Sequence, residues 1–169
     1  MKTTQRTSGL LRIVSQSLVA VSLSAAIAPM MLQEVIAQTR ANFGVVQLSA
    51  SSRTEHPAIQ GYTQGSVPLA AIAAHDAAGT RCVGFAETEP DHVLDVQQNI
   101  GQMLIQVNSG GQDTTLLIQD EQGRVWCGDD TGRSLDATVR IDRMSVGEYR
   151  VWVGSFDAAQ SYNYFLDMQ

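Results

Sequence analysis

From Cys82 to the C-terminus the chain repeats one pattern: a short run of β-branched and aliphatic residues, then a cluster of turn formers. The runs recur roughly every ten residues, a rhythm that belongs to an all-β sandwich or barrel and not to a helical or α/β domain. Residues 103–107 alternate Met103, Ile105 and Val107 against Leu104 and Gln106. Residues 137–142 alternate Ala137, Val139 and Ile141 against Thr138, Arg140 and Asp142, and 148–154 set Tyr149, Val151 and Val153 against Arg150 and Trp152. A period of two sends one set inward and the other outward. Further strands are expected at 43–48, 59–67, 82–86, 91–96, 114–119, 124–127 and 162–167, with Gly61 and Gly65 marking a bulge or bend in the second. Residues 68–78 are the exception. They are alanine-rich and stopped by Gly79, so they read as a short helix or as a flat apolar strand and loop. The expected fold is an antiparallel, jelly-roll-like β-sandwich of about eight or nine short strands.

The densest stretch is 114–130: strand, tight turn, strand, cysteine, acidic loop. Asp120 opens the turn, where its carboxylate can bond the backbone downstream, and Gly123 closes it, where positive φ is tolerated.

Residues 1–12 are basic and polar, and 13–32 are mostly apolar with interspersed Ser and Ala. This is the layout of a secretory signal peptide. The expected cleavage follows Ala37, giving a signal at 1–37 and one β-sandwich domain at 38–169. An uncleaved membrane anchor is the alternative, against which stand the serines and Pro29. No cysteine closely follows the apolar run and no Arg-Arg pair occurs, so neither a lipoprotein anchor nor twin-arginine export is expected. From Gln38 onward there are eight Arg, no Lys and sixteen Asp plus Glu, and eight minus sixteen leaves a net charge of −8. Such a domain repels phosphate backbones and anionic lipid, so nucleic acid is not an expected partner, nor is a membrane once the signal is removed. The location expected is secreted, periplasmic or cell-envelope. Two cysteines, Cys82 and Cys127, follow the signal, and an even count in an oxidising compartment predicts one disulfide, with two buried thiols as the alternative.

No catalytic arrangement stands out. The histidines are His56, His75 and His92, and no serine sits in a Gly-x-Ser-x-Gly elbow. No cofactor is expected. Zinc spacings are absent. Calcium is the one ion with a candidate set: Asp129 and Asp130 follow a strand, and Asp113 and Asp136 add oxygens if their loops meet at one end of the sandwich. The competing reading is that these aspartates only start turns. If Val125 and Cys127 face the core, Trp126 faces outward, as do Trp152 and its neighbour Arg150. Together they make a platform for a sugar ring or a protein partner, unless residues 68–78 form a second layer over them.

Several motifs lie in one order: CVGF at 82–85, PDHVL at 90–94, DTTLLI at 113–118, CGDD at 127–130, GEYRVWVG at 147–154 and a closing Tyr164-x-Leu166. Residues 82–168 thereby resemble the bacterial pre-peptidase C-terminal domain in a cysteine-bearing form. A weaker match, Gly61-x-x-x-Gly65-Ser66, extends towards Phe43. The resemblance implies a small jelly-roll-like sandwich with a non-catalytic accessory or binding role, commonly beside a secreted peptidase domain, for which this chain has no room. The reading from sequence is therefore an exported module that engages an extracellular or envelope protein or polysaccharide. The alternatives are a small secreted hydrolase and a purely structural envelope protein.

Overall fold

The computed structural model describes residues 40–49 and 59–169. The expected signal at 1–37 and the loop histidine His56 lie outside the described residues. Eleven strands occur among the described residues. They are β1 (Val45–Leu48), β2 (Ile59–Tyr62), β3 (Val67–Pro68), β4 (Phe85–Ala86), β5 (His92–Val96), β6 (Met103–Asn108), β7 (Thr114–Asp120), β8 (Val125–Gly128), β9 (Thr138–Ile141), β10 (Gly147–Ser155) and β11 (Asn163–Met168).

The strands form a sandwich of a seven-stranded and a four-stranded sheet. β10 is the spine of the larger one. One of its edges pairs with β7 from Tyr149↔Asp120 to Ser155↔Thr114. The other edge is shared in succession by β5, opposite Gly147–Val151, and by β4, opposite Ser155. β8 lies beyond β7, β1 beyond β5 and β3 beyond β4. The smaller sheet runs β2-β11-β6-β9. The pairs are antiparallel except β1 with β5, whose long intervening chain permits a parallel edge.

The inward sets expected from alternation meet between the sheets. Met103, Ile105, Val107, Ala137, Val139, Ile141, Tyr149, Val151 and Val153 share one buried cluster. A smaller cluster lies on the other face of the large sheet: Leu69, Cys82, Ala86, Leu117, Val125, Cys127 and Trp152, with Ile72 and Ala73 packed on it. The segment covering it is the expected short helix, which here is only a 3-10 turn, Leu69–Ala71. The turn has no side-chain cap. Asp76 Oδ1 then accepts the amides of Ala78 and Thr80 at 2.9 and 2.8 Å and folds the chain back, before a helix long enough to hold itself can form.

The run at 59–67 is not one strand. β2 and β3 belong to different sheets, and the crossing is made at Gly65, with φ of 92°. A Cβ there would fall on the Ala86 carbonyl, so only glycine passes. No helix among the described residues is long and apolar enough to cross a membrane.

Candidate functional site

β7 and β8 pair with Leu116 opposite Gly128, so the residue before β7 and those after β8 emerge at the same end of the sheet. This brings Asp113, Asp129 and Asp130 together, with one carboxylate oxygen from each lying within 4.8 Å of the others. Asp113 Oδ1 and Asp129 Oδ1 are both shielded from solvent and meet no hydrogen-bond donor. Desolvation, then the charge of Asp130, raises the pKa of both; Asp157 adds to the effect at Asp113, and Asp113 to that at Asp129. The fourth expected ligand is engaged elsewhere. Asp136 Oδ1 accepts the Ser109 amide at 2.9 Å and the Ser109 hydroxyl, and its Oδ2 accepts the Ser134 hydroxyl at 3.4 Å. It fixes the 109–112 loop, where Ser109 Oγ in turn accepts the Gln112 amide.

Cys82 and Cys127 form a disulfide, with Cα atoms 5.2 Å apart. The bridge determines the fate of the tryptophans. Cys127 must point away from the main core to reach Cys82, and this sends Val125 the same way and turns Trp126 inward. Trp126 accordingly packs on the main core, its ring 6.1 Å from Tyr149. Trp152 does face outward, as expected, but residues 69–73 cover it; it is 5% exposed, and its Nε1–H donates to the Thr88 carbonyl at 3.4 Å. The two indoles therefore lie on opposite faces of one sheet, and the expected Trp126–Trp152 platform is not formed. Arg150 is exposed and, among the described residues, lies over no aromatic ring.

His92 is 1% exposed, and its Nε2 lies 2.9 Å from the Tyr164 hydroxyl across the sandwich. Burial lowers its pKa to about 4. The imidazole is shut inside the fold, behind the Tyr164 hydroxyl and the Phe43 ring. Its neighbour Asp91 is equally buried and accepts the Val153 amide at 2.8 Å and the Asn42 side-chain amide at 3.2 Å. Burial pushes the Asp91 carboxyl up to about 6. His75 sits on an isolated bridge to Arg81, at the surface.

Grooves open on the sides of the sandwich. β1 and β2 are edge strands on one side, and there Phe43, Gln60, Gly61, Tyr62, Asn163, Tyr164 and Phe165 line a groove of about 670 Å³. Tyr62 and Phe165 are 43% and 50% exposed, and Phe43 meets the Tyr62 ring edge-on at 5.0 Å. Sequence reasoning passed over these residues. The signal available was Phe165, which alternates outward between inward Tyr164 and Leu166. The opposite edges, β8 and β9, flank a smaller groove of about 370 Å³ lined by Ala78, Arg124, Trp126, Arg140, Ile141, Asp142 and Arg143.

No family model matches the sequence, and no curated protein does. The solved structure of the pre-peptidase C-terminal domain of a collagenase from Bacillus anthracis is similar, with a TM-score of 0.45 and 15% identity, covering 77% of this chain and 98% of that one.

Proposed function

We propose that this chain is an exported, non-catalytic accessory module that binds an extracellular or envelope protein or polysaccharide. The observation that carries the reading is the groove between Phe43, Tyr62 and Phe165. Large aromatic side chains left exposed and gathered in a concave place are what a binding surface needs and what a folded core does not. The lining carries no charged side chain, and the amides of Gln60 and Asn163 offer donors and acceptors beside the rings. That combination suits a sugar ring or an apolar protein side chain. Export is supported by the disulfide, which persists in oxidising compartments, and by the signal-like N-terminus. The burial of His92 supports a non-catalytic role.

The test is affinity measurement on soluble glycans and extracellular protein fractions, comparing the natural chain with a Tyr62→Ala/Phe165→Ala variant. A ligand held by this groove should bind roughly tenfold more weakly to the variant, the scale of one or two lost aromatic contacts. Equal binding by both proteins would remove the groove from the account.

A second reading concerns calcium, favoured by the two shielded, donor-free oxygens of Asp113 and Asp129 beside Asp130. Hard carboxylate oxygens suit Ca²⁺, and the site would draw its remaining ligands from backbone carbonyls and water. The ion would hold the loops at this end of the sheet and would take no part in chemistry.

A further inference from the structure

The groove between β8 and β9 has a polarity opposite to that of the rest of the domain. Three of the eight arginines after residue 37 line it, Arg124, Arg140 and Arg143, against one carboxylate in the lining, Asp142. That leaves five Arg and fifteen Asp plus Glu for everything else after residue 37. Arg124 is partly committed: its Nε donates to Asp120 at 2.5 Å, and its guanidinium lies over the Trp126 ring, 5.6 Å from the centroid. Asp76, whose loop brings Ala78 to the groove, spends its carboxylate on the amides of Ala78, Thr80 and Cys127. Arg140 and Arg143 are exposed, and among the described residues neither is ion-paired. Trp126 is half-buried: it packs on the main core with Arg124 over its ring, and its open part lines the groove beside Arg140 and Arg143.

We propose that this groove binds an acidic polysaccharide, a glycan whose sugar rings carry carboxylates. Guanidinium groups recognise carboxylates through paired N–H donors, with a geometry that a lysine ammonium lacks, and the domain after residue 37 contains no lysine. The part of the Trp126 ring left open beside them offers apolar contact to a pyranose. A uronate presents both features rigidly, a carboxylate fixed to a ring, whereas an acidic peptide presents carboxylates on flexible arms with no ring for Trp126. The acidic body repels a polyanion everywhere else, so attachment is confined to this side and weakens as salt screens the arginines. The site stands apart from the aromatic groove on the opposite edges and does not depend on it.

Polygalacturonate is the probe, titrated into the purified protein at low and at physiological ionic strength and followed by Trp fluorescence and calorimetry. Binding is expected at low salt. It should fall at least tenfold in Arg140→Ala/Arg143→Ala and recover only in part in Arg140→Lys/Arg143→Lys. It should be unchanged in Tyr62→Ala/Phe165→Ala, which separates this site from the aromatic groove. Both arginines are exposed, so the melting temperature of their variants should match that of the natural chain and report any loss of folding. The proposal is overturned by no binding at low salt, by equal binding to the double alanine variant, or by uncharged dextran binding as well as polygalacturonate. Polyglutamate binding as tightly, with the same arginine dependence, would overturn it in favour of an acidic protein partner.

Discussion

Asp113 and Asp129 each bury a carboxylate oxygen that no donor meets, next to a third carboxylate. Without a cation this arrangement opposes folding, because like charges are held together and two of their oxygens are shielded from water. A sign follows that an ordinary turn aspartate would not give. Replacing Asp129 by Asn should leave the metal-free protein as stable as before or more so, by roughly 1 kcal/mol or less, the scale of a partly exposed charge pair. The same change should abolish any stabilisation by calcium. The natural chain should melt several degrees higher in millimolar Ca²⁺ than in EDTA, since an ion at 100 times its dissociation constant adds about 2.7 kcal/mol. Identical melting in the two buffers would end the calcium proposal. Asp129 and Asp130 were legible in the sequence because they follow a strand that a clear turn had placed. Asp136 was not separable from them, because its capture by Ser109 and Ser134 depends on where two other loops end. Gly61 was legible only as an irregularity. Its actual constraint lies across the sheet, where a Cβ would sit 2.5 Å from the buried Tyr164 hydroxyl and 2.9 Å from Phe43.

The hairpin of β7 and β8 shows where local chemistry suffices. Asp120 Oδ1 accepts the amides of Gln122 and Arg124 at 3.1 and 2.8 Å, and Gly123 has φ of 78°, as the Asp–Gly spacing predicts. The facing of β8 is a different matter. Its alternation is symmetrical enough to be read either way, and the disulfide decides it by drawing Cys127 into the outer layer. The strand pays for this parity at Gly128, where any Cβ would overlap the Thr138 carbonyl of β9. The layer over Trp152 thus hangs on a covalent bond, a two-residue pairing of β3 with β4, a short 3-10 turn and a few hydrogen bonds, among them Leu69 N–H to the Gly84 carbonyl and Cys127 N–H to Asp76. Cys82→Ser/Cys127→Ser should lower stability by about 4 kcal/mol on the chain-entropy model of a cross-link spanning 45 positions. Because Trp152 is buried by this layer, its fluorescence should shift to the red under native conditions, before global unfolding. A variant with unchanged emission would mean that the layer holds itself in place without the bond.

At the scale of the molecule, Asp91 and His92 link the parts of the sandwich. Asp91 joins the segment before β1 to β10, through Asn42 and Val153, and His92 reaches from β5 to Tyr164 in the opposite sheet. Both are 1% exposed, and their titrations act on the fold in opposite directions. The Asp91 carboxyl is raised to about 6. Its contribution is therefore full below the unfolded value near 4 and is lost as pH rises through about 6. The imidazole of His92 is lowered to about 4. Its contribution is full above the unfolded value near 6.5 and is lost as pH falls through about 4. Each is worth roughly 3 kcal/mol across its window, so between pH 7 and 4 the two nearly cancel. Asp91→Asn breaks the balance while keeping an oxygen for the Val153 amide. The natural chain should change little in stability over that range on account of this pair, whereas the variant should lose about 3 kcal/mol on acidification as His92 is forced to charge. Asp113 and Asp129, also raised, add the same acid-side gain to both proteins, so the difference between their urea-unfolding profiles isolates the pair. Parallel profiles from pH 7 to 4 would show that the burial of Asp91 and His92 does not set the pH response of the sandwich.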